Sequence, residues 1–132
     1  MPRPLPRFPE PDSQPFWEAT KNHELKYQKC NACGNVVFYP RRHCTKCGSA
    51  DLAWHTSAGR GTVYTFSIVK QNRSPMFADL VPYVLAYVDL EEGFRIMTNI
   101  VGTEPEQVKV GQRVRVRWDD QGEVSLPFFE PA

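Results

Sequence analysis

No stretch of this chain is apolar for long enough to span a bilayer or to form the hydrophobic part of a signal peptide. Excess charge is missing as well: 16 Lys and Arg stand against 15 Asp and Glu, a formal net charge of +1. No global field therefore draws the chain to nucleic acid or to an anionic membrane. Histidine is scarce, and His23, His43 and His55 sit in no recognisable catalytic motif; a solvent-facing or locally hydrogen-bonded role fits each. A phosphate-binding loop is absent too, because Gly59-Arg60-Gly61 precedes an extended segment and opens no helix. It reads as a flexible entry into a barrel. Together these absences predict a soluble, cytoplasmic protein in which candidates for a nucleophile and a base are few. Its 132 residues allow one compact domain or two small modules sharing a core.

Proline is what the chain has early. Residues 1–15 carry prolines at 2, 4, 6, 9, 11 and 15, which fix φ and remove backbone donors, so this stretch reads as an extended arm or linker unable to form a helix. Such an arm is compatible with a module cut from a longer polypeptide. Residues 16–25 lack Pro and Gly and place Phe16, Trp17 and Leu25 for a short, imperfect helix.

The strongest signal follows. Cys30-Asn31-Ala32-Cys33-Gly34 and Cys44-Thr45-Lys46-Cys47-Gly48 are two C-x-x-C-G knuckles. Each puts two thiols on one tight turn, and the glycine relieves the backbone as it reverses. In a reducing compartment this pattern points to a metal before disulfides. Four soft sulfurs in a tetrahedron suit Zn²⁺ first and iron second. With Cys30, Cys33, Cys44 and Cys47 all ligating, no position stays open for water. The expectation is one structural zinc per chain.

Beyond the ribbon the pattern turns to strands. Runs at 62–69, 83–88, 95–101 and 113–118, with a shorter one at 124–126, are rich in β-branched and aromatic residues. Residues 89–93 end in Gly and supply a hairpin between the second and third runs. Thr103, Pro105 and Glu106 resemble a capped helix start between the third and fourth. Five strands with that insertion predict an OB-fold. The overall reading is mainly β: an arm over 1–15, helix plus zinc ribbon over 16–55, and a five-stranded OB barrel over 56–132.

Two surface features qualify as binding sites. Arg113, Arg115 and Arg117 alternate along one side of a strand and could hold the phosphates of CoA or of a nucleic acid. The same alternation marks the polar outer side of a half-buried strand whose arginines pair with nearby carboxylates. The long connection over 71–82 carries Met76 and Phe77 at its tip, and long apolar-tipped loops are usually functional.

In order, the chain has Phe16-Trp17-Glu18, the two knuckles, Tyr39-Pro40-Arg41, Cys47-Gly48-Ser49, Gly59-Arg60-Gly61-Thr62-Val63-Tyr64 and Thr98-Asn99-Ile100-Val101-Gly102. Over residues 16–129 it resembles the OB-fold family with a rubredoxin-like zinc ribbon, formerly catalogued as domain of unknown function thirty-five. Members of that family are companions of thiolase-superfamily proteins: thiolases, acyltransferases and aldolases that remove steroid side chains from CoA thioesters. Some are separate subunits and others are fused to a hydratase-like partner. The resemblance implies a non-catalytic accessory subunit or domain docking onto an acyl-CoA enzyme through its helix and ribbon. Phe16 and Trp17 are then the expected docking residues, with Met76 and Phe77 as a second contact. The competing reading is that Phe16 and Trp17 seal the ribbon against the barrel. A nucleic-acid-binding module and a free acyl-CoA carrier are the alternative functions; near-neutral charge disfavours the first and a filled barrel the second.

Overall fold

The computed structural model describes residue 5 and residues 11–132; residues 1–4 and 6–10 of the expected arm lie outside the described residues. Helix α1 (Gln14–Thr20) begins with Pro15 in its first turn, where a missing N–H has no intrahelical partner to lose. The expectation that no residue up to 15 enters a helix is corrected accordingly. The other end of the predicted helix is corrected as well, since α1 stops at Thr20 and not at Leu25. There Thr20 Oγ1 donates back to the Trp17 carbonyl at 2.6 Å and accepts from the Ser125 N–H at 3.1 Å. His23, with φ of 58°, then turns the chain.

Strands β1 (Lys26–Cys30), β2 (Val36–Val37) and β3 (Leu52–Thr56) form the ribbon in the order β2-β1-β3, both pairs antiparallel. Strands β4 (Arg60–Val69), β5 (Tyr83–Leu90), β6 (Arg95–Ile100), β7 (Arg113–Asp120) and β8 (Ser125–Pro131) close into a barrel in the order β4-β5-β6-β8-β7. Closure comes from β4, whose length lets it pair with β5 along most of its course and with β7 at its start. A bulge between Val63 and Thr65 bends it between the two partners. This is the OB-fold the strand pattern predicted, with β5 and β6 joined by the expected hairpin at Gly93.

The connection from β6 to β7 departs from expectation. It holds a single 3₁₀ turn, Pro105–Gln107, preceded by Glu104 in extended conformation and without a side-chain cap. Thr103 is not an N-cap, and Glu106 closes no capping box. Val108, only 4% exposed, leaves the turn in extended conformation and returns directly to the core, which ends the helical backbone there.

Inward positions alternate along the barrel strands. Val63, Val84, Val88, Ile96, Val114 and Phe129 make the centre, with Phe129 fully buried. Phe16 and Leu25 belong to the same cluster, so helix, ribbon and barrel share one core. The link is aromatic: Phe16 packs edge-on to Phe38 with centroids 5.7 Å apart, Phe38 stacks on Phe94 at 4.6 Å, and Phe94 stacks on Tyr27 at 5.0 Å. The ribbon keeps a smaller cluster of its own around Cys30, Val37 and Cys44.

Gly61 lies inside β4, and the sequence reading of it as part of a flexible entry is corrected by its surroundings. A β-carbon there would sit 2.4 Å from the Asp89 carbonyl oxygen and 2.8 Å from Val88 Cγ1. Backbone cannot yield as a side-chain tip can. Gly61→Ala is therefore expected to destabilise the barrel by about 1–3 kcal/mol, as overpacking does, measured as a lowered midpoint in urea. An unchanged midpoint would show that β4 and β5 can separate at this point without cost.

Candidate metal centre

Each knuckle is built by the same pair of backbone bonds. The Cys30 N–H donates to the Asn35 carbonyl and the Gly34 N–H to the Cys30 carbonyl, both at 2.8 Å; the Cys44 N–H donates to the Ser49 carbonyl at 2.8 Å and the Gly48 N–H to the Cys44 carbonyl at 3.0 Å. Gly34 and Gly48 take φ of 78° and 77°, the left-handed region that glycine enters without penalty. The two knuckles thus share one hydrogen-bond pattern and one glycine conformation.

All four sulfurs lie within 4.8 Å of one another. The contacts that cross between knuckles, Cys30 to Cys47 and Cys33 to Cys44, are each 3.6 Å. A tetrahedron of thiolates at the usual zinc–sulfur distance has edges of about 3.8 Å, so the donor set fits a tetrahedral thiophilic ion. Cys30 and Cys44 are buried, Cys33 and Cys47 exposed at the ribbon tip.

The surroundings stabilise thiolate at two of the four sulfurs. Cys44 Sγ accepts from the Lys46 N–H at 3.3 Å, the Cys47 N–H at 3.5 Å and Asn35 Nδ2 at 3.6 Å. The Cys47 N–H above all, working against burial, pulls the Cys44 thiol down to about 6. Cys30 is lowered for the same reason, chiefly by the Cys33 N–H. Cys47 goes the other way, to about 12: the Ser49 N–H favours its thiolate, but the Cys33 and Cys30 sulfurs and burial outweigh it. Four sulfurs this close cannot all be anionic unless a cation lies between them, so the last proton stays where the negative charge is densest. Metal binding at such a site releases protons.

The other predicted site residues fall elsewhere. Arg113, Arg115 and Arg117 project together from β7, and each meets a carboxylate: Arg113 Nη2 lies 2.8 Å from Glu91 Oε1, Arg115 Nε 3.5 Å from Glu130 Oε1 and Arg117 Nη1 3.9 Å from Glu130 Oε2. Phe16 is only 6% exposed and packs within the chain. Trp17 is half-buried and lines a groove with Phe128 and Met97. Met76 and Phe77 are half-buried, Phe77 lying 6.4 Å from the Tyr83 ring and lining a different hollow. Phe16 and Trp17 thus line one hollow and Phe77 another. What sequence reasoning passed over is a set of apolar side chains on the outer side of β5 and β6, Leu85, Tyr87 and Met97. The strand alternation that identified the arginines could also have found these.

No helix among the described residues is long and apolar enough to cross a membrane. The comparisons with known proteins agree with this architecture. Residues 17–53 match the ChsH2 rubredoxin-like zinc ribbon domain and residues 54–119 the ChsH2 C-terminal OB-fold domain. A probable enoyl-CoA hydratase alpha subunit of Thermomonospora curvata is 39% identical over 89% of this chain. The chain spans only 37% of that protein's length. A DUF35 domain-containing scaffold protein of Methanothermobacter thermautotrophicus is 33% identical, the match covering 84% of this chain and 89% of that one. The benzoylsuccinyl-CoA thiolase subunit BbsA of Geobacter metallireducens is 33% identical over 59% of this chain and 51% of its own. Among solved structures, the Ltp2-ChsH2(DUF35) aldolase superposes with a TM-score of 0.86 at 35% identity, covering 96% of this chain and 98% of that one. With ribbon and barrel both matched, in this order and over nearly the whole described length, the chain belongs to the DUF35 family of ChsH2-type proteins.

Proposed function

We propose that this chain is a non-catalytic, zinc-binding accessory subunit or domain that docks onto a thiolase-superfamily acyl-CoA enzyme, a thiolase, acyltransferase or retro-aldol aldolase. The observation that carries this reading is the likeness, along almost the full chain, to the ChsH2(DUF35) part of an aldolase. Relatives named as a thiolase subunit and as a scaffold protein support it from the sequence side. Steroid side chains are one acyl class that fits, and the hydratase names of longer relatives fit a chain that is fused to, or works beside, a hydratase-like domain.

One Zn²⁺ per chain, held by Cys30, Cys33, Cys44 and Cys47, would give the ribbon its rigidity. Because four protein sulfurs fill a tetrahedral ion, such a metal supplies no Lewis-acid or water-activating chemistry. Its role is to hold the two knuckles together, and through Phe38 and Tyr27 to present the ribbon in fixed orientation against the barrel. The paired arginines of β7 favour a structural role there, since CoA phosphates would have to displace Glu91 and Glu130.

The test is reconstitution. Thiolase-superfamily proteins from the same genome, each produced with and without this chain, are assayed for thiolysis, condensation and retro-aldol cleavage of CoA substrates. A stable complex with one of them, and loss of its activity when this chain is omitted, is the expected result. Full activity of every such protein alone would overturn the proposal.

A further inference from the structure

The barrel has two unlike outer faces. On β7 the outward residues are arginines, each matched by a carboxylate, as a solvated antiparallel face should be. On β5 and β6 the outward positions hold Leu85, Tyr87 and Met97, standing between the inward Val84, Ala86, Val88 and Ile96. Tyr87 and Met97 are directly opposite one another across the strand pair. Tyr64, at the bulge of β4, turns outward beside them. From the ribbon, Tyr39 reaches across to accept the Met97 N–H on its hydroxyl at 3.3 Å.

These five residues are each 39–51% exposed, and the other exposed large apolar groups among the described residues, Leu5, Leu80 and Val110, are not beside them in sequence or strand register. The apolar face runs into the groove beside Trp17 and Phe128, a concavity of about 560 Å³. Antiparallel strands normally turn polar residues to water, and soluble monomers rarely keep such contiguous apolar surface uncovered.

We infer that the face formed by Tyr39, Tyr64, Leu85, Tyr87 and Met97 is the surface on which the thiolase-superfamily partner docks, seating an apolar side chain in the adjoining groove. This rests on the function proposed above and names the residues that serve it. Charge decides against other occupants. The charged groups of the face, Arg95 and Asp89, neutralise each other through bonds of 2.6 and 3.1 Å, and the Arg95 guanidinium lies 3.5 Å over the Tyr64 ring. Among the described residues, β5 and β6 carry no cation besides this paired Arg95 to hold a phosphate, which nucleic acid and anionic headgroups require. Tyrosine and methionine around one satisfied arginine are instead the composition of the buried centre of a protein interface.

The experiment measures dissociation constants of purified pairs, using the thiolase-superfamily proteins of the same genome as probes. Wild type is compared with Tyr87→Glu, Met97→Glu and, as an exposed apolar control away from the face, Val110→Glu. Thermal midpoint and metal content of each variant are checked first, and Tyr64→Ser replaces either glutamate variant that fails to fold. The expected result is a weakening of about 30-fold or more for the face variants, with Val110→Glu within threefold of wild type. If a partner binds wild type and the face variants within twofold of each other, this assignment is overturned while the functional reading stands. If none binds wild type, the functional reading itself fails, and the face falls with it. If the chain self-associates in sedimentation and Tyr87→Glu makes it a monomer, the occupant is a second copy, and the inference is likewise wrong. Salt-sensitive binding of a single-stranded oligonucleotide that both glutamate variants abolish would assign the face to nucleic acid instead.

Discussion

Cys44→Ser is expected to empty the metal centre and unfold the ribbon. Cys44 is the sulfur with most support, taking two backbone N–H groups and the Asn35 amide, and it also sits in the small ribbon core with Cys30 and Val37. Serine shortens the side chain, replaces a soft donor by a hard one and leaves three sulfurs around an opening to water. Structural zinc in comparable small modules contributes an apparent 10–16 kcal/mol, roughly as much as the whole net stability of an ordinary domain. The ribbon has few buried apolar groups with which to offset that loss. Metal analysis should give about one zinc per chain in the parent and almost none in the variant, and strong chelator should reproduce the variant's spectroscopic change in the parent. The barrel, whose central cluster contains no cysteine, should keep part of its β signal. A variant that retained both its metal and its melting temperature would show that Cys44 is not a ligand.

Phe16→Ala should cost about 3–5 kcal/mol, the range for truncating a buried phenylalanine. The ring is 6% exposed and belongs to the main core, lying 4.9 Å from the Trp17 ring and 5.7 Å from that of Phe38. Removing it opens a cavity where α1, the ribbon and the barrel meet, and neighbouring rings fixed by their own stacks cannot collapse into the space. Denaturant unfolding followed by both tryptophan fluorescence and far-ultraviolet dichroism is the measurement. A common shift of both transitions fits a single shared core; two separated transitions would show the ribbon and helix released before the barrel. A loss below about 1 kcal/mol would mean that Phe16 is dispensable to packing. Partner binding has to be interpreted after this stability cost, because any weakening by Phe16→Ala includes unfolding.

Local chemistry explains why so much was legible. Two C-x-x-C-G knuckles specify their own turns, and the glycines at 34 and 48 take the positive φ that those turns need. Strand alternation announced the barrel, because inward Val84, Ala86 and Val88 alternate with outward Leu85, Tyr87 and Asp89 whatever their partners are. Structure and sequence pattern differ at element boundaries. Pro15 stands in the first turn of α1, where its missing N–H costs nothing, and the helix start after β6 ends after a single turn because Val108 is extended.

By itself, then, the sequence determined the pair of C-x-x-C-G knuckles whose four sulfurs cluster, the order of ribbon and barrel, and which side of each strand faces inward, since each of these depends on residues close together in the chain. Tertiary structure alone decided what those sides meet. Phe16 became core because Phe38, far along the chain, closes over it. Arg113, Arg115 and Arg117 became a neutralised face because the hairpin and β8 bring Glu91 and Glu130 to them. Tyr39, Tyr64, Tyr87 and Met97 became one surface because barrel closure and ribbon docking bring four separate segments together. Periodicity carries the direction in which a side chain points, but only packing between distant segments fixes its neighbours, and neighbours decide whether an outward residue is solvated, paired or left as an uncovered apolar patch.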